Sequence, residues 1–101
     1  MIRPQRLGHV VLRVRDLDTS VAFYTWVTGL KIATYKPETG QSFLSYGDDH
    51  HALALFERRP EDAEPVDRRL TGMSHMGWEV EDPEALDAAR EALEADGVEI
   101  E

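Results

Sequence analysis

The chain carries four histidines and no cysteine, so histidine and carboxylate are the side chains it can offer a transition metal. Two of the histidines, His9 and His75, sit in near-copies of one phrase 66 residues apart. Gly8-His9-Val10-Val11-Leu12-Arg13-Val14-Arg15-Asp16 reads closely on Ser74-His75-Met76-Gly77-Trp78-Glu79-Val80-Glu81-Asp82, and a helix-like segment follows each copy. Either histidine alone reads as a solvent-facing or capped side chain. Their equivalence in a repeat instead suggests two modules that bring their histidines together at one metal site. The other two, His50 and His51, are adjacent in a polar turn entering a strand, a placement that local turn chemistry produces by itself.

The elements that must position these residues follow from periodicity. Side chains alternate faces along a strand. Val10, Leu12 and Val14 share one face, with His9, Val11 and Arg13 on the other; Met76, Trp78 and Val80 likewise oppose His75, Gly77 and Glu79. Each phrase thus has an apolar face for a covering helix and a face carrying the histidine. The first strand is expected over Leu7 to Val14. Asp16 and Asp18 offer N-cap carboxylates, and Asp18 with Thr19 and Ser20 best suits a helix start. That helix runs to about Thr28, with Phe23, Val27 and Leu30 as its apolar stripe and Gly29 as its stop. Strands follow at Lys31–Lys36, Ser42–Tyr46 and roughly His51–Glu57, separated by turns at Pro37–Gly40 and Gly47–Asp49.

The first copy therefore spans 1–58 as β-α-β-β-β. Residues 59–73, charged and bearing Pro60 and Pro65, read as a linker, and 74–101 as the β-α-β start of a second, truncated unit. In the second copy Asp82-Pro83 starts a helix, with Leu86, Ala89 and Leu93 as the buried stripe, Gly97 as the stop and Val98–Ile100 as the next strand.

Composition bounds the function. A length of 101 residues with 42% apolar content allows one small domain with a modest core. Twenty acidic against eleven basic residues, a net charge of -9, argues against nucleic acid and anionic membrane as partners. The N-terminal residues lack the apolar run of a signal peptide and no stretch approaches membrane-spanning length, so a cytoplasmic location is expected.

The first phrase, continued through Leu17-Asp18-Thr19-Ser20-Val21-Ala22-Phe23-Tyr24 to Gly29-Leu30, resembles the opening of the vicinal oxygen chelate superfamily, the glyoxalase I, bleomycin-resistance and extradiol-dioxygenase group. Ser74 to Ile100 resembles the opening of that superfamily's second module. The resemblance implies an α+β fold of paired βαβββ modules. It also implies a divalent metal and no organic cofactor, with the first-strand histidines, His9 and His75, as ligands. Glyoxalase-like and epimerase-like members add a glutamate from the fourth strand; here that position falls on Ala54, and Glu57 is the nearby acid that stands as an alternative. Extradiol dioxygenases take their carboxylate from the last strand of the second module, expected beyond residue 101.

Phe43 to Phe56 resembles the stretch where extradiol enzymes carry an acid-base histidine, which places that role on His51, or on the neighbouring His50 if the register slips by one. Two histidines and a carboxylate on one side of a metal suit Fe(II) and O2, so Fe(II) is the expected ion, with Mn, Ni or Zn as alternatives. The expected substrate is a catechol-type aromatic. A metal-dependent isomerase or lyase and a metal-free bleomycin-resistance-type binder are the other readings the resemblance allows. Uncovered edges and apolar faces in the second unit predict a homodimer.

Overall fold

A parallel strand pair organises the first part of the chain. In the computed structural model, which describes residues 1–62 and 69–101, the chain divides into two compact units, 1–63 and 64–101. The first unit runs β1 (Val10–Val14), α1 (Leu17–Thr28), β2 (Lys31–Lys36), β3 (Gln41–Ser45) and β4 (Leu53–Glu57), the expected β-α-β-β-β order. The strands form one sheet in the order β1-β4-β3-β2. β1 pairs parallel with β4, Val10 opposite Leu53 and Val14 opposite Glu57, while the other pairings are antiparallel. Parallel neighbours require a long crossover, and the chain from α1 to β3 supplies it.

β1 is shorter than the expected Leu7–Val14, because a strand lasts only as long as its ladder. The pairing begins where the Val10 N–H donates to the Ala52 carbonyl at 3.0 Å, and Leu7 stands exposed before it. The alternation along β1 is as read: Val10, Leu12 and Val14 are half-buried, and His9, Val11 and Arg13 are exposed. Leu44, Leu53 and Leu55 are fully buried and, with Leu17, Val21 and Leu30, form the core beneath α1. Ser42, also fully buried, satisfies its hydroxyl on the Thr34 carbonyl at 3.0 Å.

Two details of α1 differ from the sequence reading. The N-cap is Asp16, not Asp18: its backbone is extended and its Oδ1 accepts from the Thr19 N–H at 2.8 Å. Asp18 lies in the first turn and instead accepts a hydrogen bond from the Tyr35 hydroxyl of β2. The buried stripe starts at Leu17 and Val21, leaving Phe23 on the exposed flank. Gly29 ends the helix as expected, with φ of 72° and its N–H donating to the Thr25 carbonyl at 3.1 Å.

The second unit contains α2 (Pro83–Ala95), capped by the Asp82 carboxylate on the Ala85 N–H at 2.8 Å and started by Pro83. Gly97 follows it with φ of 83°. The expected strands at 74–80 and Val98–Ile100 do not form among the described residues, because a strand needs a ladder partner and the described residues of this unit offer none. Trp78 and Val80 consequently stay 40% and 41% exposed, and α2 has no buried residue, with Leu86 exposed rather than in a buried stripe. The expected linker, 59–73, includes residues 63–68, which lie outside the described residues. No helix among the described residues is long and apolar enough to cross a membrane.

Candidate functional site

The candidate site lies on the sheet face that α1 does not cover. α1 packs on β3 and β4, and the Glu57 carboxylate marks its side of the sheet: Oε2 accepts from the Leu17 N–H, the first helical amide, at 2.7 Å. Leu53, Leu55 and Glu57 share that face by strand parity. Ala54 and Phe56 therefore belong to the opposite face, as do Val11, which pairs with Ala54, and Phe43, which pairs with it from β3. Glu57, the alternative ligand, is thus occupied on the covered side, away from the face that carries His9.

His9 enters this open face directly before β1. His51 joins it because the chain bends at Ala52 before β4 begins, which breaks the alternation that would have sent it with Leu53. The bend is fixed from both sides, by the Ala52 N–H donating to the Leu44 carbonyl at 2.8 Å and the Ala52 carbonyl accepting from Val10. The His9 and His51 rings lie 4.5 Å apart between centroids, tilted by 48°. Phe43 meets His51 edge-on at 5.1 Å and Phe56 at 5.9 Å, completing a row of rings from His9 to Phe56. Phe43 and Phe56 were not singled out from the sequence; their shared parity with Ala54 was the available signal.

The turn before His51 is built by Asp49. Its Oδ1 accepts from the Ser45 hydroxyl and from the Tyr46 N–H, and the Gly47 N–H donates to Ser45 Oγ at 2.8 Å. Gly47 has φ of 116°, a conformation that side chains rarely tolerate. Hydrogen bonding from Ser45 lowers the Asp49 pKa below the usual carboxylate value. Burial, then the adjacent His9 and His50, push the His51 pKa below the ordinary histidine value, with Asp49 opposing weakly. His51 is therefore a neutral imidazole at neutral pH, able to take up a proton.

His75 belongs to the second unit, exposed, with its Nδ1 3.3 Å from Ser74 Oγ. Among the described residues no group of three or more His, Asp or Glu side chains is placed to hold a metal. The donor chemistry still suits one in part. Exposed imidazoles at repeat-equivalent places are borderline ligands for first-row ions, while Ala54 gives the open face no carboxylate. The fit is that of a ligand contributor that leaves a carboxylate to be supplied.

Residues 6–101 match the Glyoxalase/Bleomycin resistance protein/Dioxygenase superfamily. A manganese-dependent 2,3-dihydroxybiphenyl 1,2-dioxygenase from Geobacillus genomosp. 3 is 31% identical over 95% of the chain and 27% of its own length. A probable lactoylglutathione lyase from Vibrio cholerae is 37% identical over 50% of the chain and 39% of its own length. The crystal structure of the genomically encoded fosfomycin resistance protein FosX from Listeria monocytogenes shares the fold, with a TM-score of 0.73 at 19% identity over 98% of this chain and 71% of that one. The chain spans 22% to 39% of the length of the curated relatives it matches. With the βαβββ unit, the repeated histidine phrase and a match over nearly its whole length, the chain belongs to the Glyoxalase/Bleomycin resistance protein/Dioxygenase superfamily.

Proposed function

We propose that the chain forms part of a metal-dependent, extradiol-type ring-cleaving dioxygenase acting on a catechol-type aromatic with Fe(II) and O2, Mn being the first alternative ion and Ni or Zn the others. The observation that carries this reading is the contact between His51 and His9 on an open face where Ala54, not a carboxylate, occupies the fourth strand. His9 and His75 would hold the metal, and the third ligand would be a carboxylate from outside these residues. When bound, the metal lowers the pKa of a phenolic oxygen and gathers the reactants. His51, neutral because burial and its imidazole neighbours oppose its charge, accepts the proton that a catechol hydroxyl gives up and returns it later. Phe43 and Phe56 offer ring edges and faces against which a flat aromatic packs.

The proposal extends to organisation. Modules 1–58 and 74–101 flank a linker at 59–73, two copies associate as a homodimer, and the protein works in the cytoplasm on a small molecule. Oxygen uptake by the Fe(II)-loaded protein with catechol and aryl-substituted catechols tests the chemistry. Uptake matched to loss of the catechol supports it. A second reading, a lyase or isomerase, draws on the 37%-identical relative; metal retention without uptake on any catechol would favour it. Retention of no first-row metal would sink both and leave a metal-free binder.

A further inference from the structure

The geometry points to His50 as the residue that positions His51, by occupying its Nδ1 so that Nε2 is the nitrogen left to exchange a proton. The inference rests on the acid-base role proposed for His51. The Nδ1 atoms of the two rings lie 2.5 Å apart, and the rings meet edge-on at 69° with centroids 4.8 Å apart. A neutral imidazole has one N–H and one lone pair, so the bond made by one nitrogen decides what the other presents.

The backbone makes this contact reproducible. Asp49 ties the turn to Ser45 and Tyr46, Gly47 allows its tight path, and Ala52 is pinned to Leu44, so residues 50 and 51 sit between two fixed points. Phe43 and His9 bracket the His51 ring from other directions, while His50 itself is exposed and outside the row of rings. A ring with three aromatic neighbours is held in its plane, and the nitrogen it has engaged is Nδ1.

The test is ring-nitrogen NMR on the 15N-labelled chain, treated with EDTA, at about pH 8, well above the ordinary histidine range. His51 should show one tautomer in the parent protein. His50→Asn places an amide where the His50 Nδ1 stood and should preserve it, whereas His50→Ala should move both nitrogens to the mixed-tautomer values of a free histidine. Unchanged His51 nitrogens in His50→Ala would overturn the inference. If the protein consumes oxygen with a catechol, His50→Ala should lower kcat about 10-fold, the lower end of what an orienting partner contributes, with KM unchanged and recovery in His50→Asn. An unaltered kcat alongside a lost tautomer would also overturn the positioning role. Absence of turnover in the parent would defeat the dioxygenase reading alone, since the NMR result stands apart from activity.

Discussion

Replacing Glu57 separates a structural carboxylate from a metal-binding one. Leu17 N–H is among the first four amides of α1, which have no partner within the helix, and Asp16 serves only Thr19. Glu57 supplies Leu17 with a charged acceptor at 2.7 Å, and Leu17 is just 3% exposed, so water does not replace the bond easily. Bonds to charged groups contribute about 1.5–3 kcal/mol, and an orphaned buried amide costs a similar amount. The Glu57 side chain is itself open to solvent, which selects the lower end, about 1.5 kcal/mol for Glu57→Ala. In a domain of this size that corresponds to a fall in Tm of about 6–12 °C.

Glu57→Gln keeps a neutral acceptor and should lose roughly half as much. Thermal unfolding followed by circular dichroism, with metal analysis of the same samples, reads both quantities. Metal content should not change in either variant. A Glu57→Ala protein that melts normally but has lost its metal would make Glu57 a ligand and refute the assignment of faces.

His9→Ala and His75→Ala should each abolish metal retention measured after gel filtration, whereas His51→Ala should keep the metal and lose turnover by about 10²–10⁴-fold in oxygen uptake; metal loss in His51→Ala would make it a ligand. The His51 proton resonances should titrate with a midpoint below the ordinary 6.5. Because the folded state then binds fewer protons than the unfolded one, stability should decline as pH falls through 6.5 and level off below the midpoint of His51 itself; a midpoint above 6.5 would contradict this. Ala54→Glu should lower the Tm, because Ala54 is fully buried and a carboxylate there is desolvated, and an unchanged melting curve would show that this position opens to solvent.

The first unit was legible because its signals are local. Alternation fixed β1, Lys31–Lys36 matched its strand residue for residue, and Gly29 and Gly97 stopped their helices where glycine's freedom at positive φ predicts. What escaped depended on partners distant in sequence. Asp18, inside the first turn of α1, meets the Tyr35 hydroxyl from β2 instead of serving as the cap. The Glu57 carboxylate, on the covered face by parity, finds its partner in an amide forty residues away. The second phrase repeats the pattern of the first, yet with no parallel neighbour among the described residues to play the part of β4 it forms no strand. Pattern states which face would be buried; only a ladder makes the strand.

The same dependence explains why the site was half visible. His9 and His75 announce themselves by repetition, but the company of His51 comes from a bend at Ala52 that no alternation rule foresees. That bend has a chemical consequence. Without it His51 would follow the parity of Leu53 toward the core, whose buried Ser42 and Ser45 hydroxyls already donate to the Thr34 and Asp49 carbonyls. With it, His51 lies against His9 and Phe43, and Ala54, opposite Phe43 in the ladder, is fully buried. A glutamate at Ala54 would put a carboxylate at a fully buried position between Val11 and Phe43. The alanine instead keeps this part of the sheet apolar, between Val11 on β1 and Phe43 on β3. At this position β4 therefore offers the first unit apolar packing rather than a carboxylate.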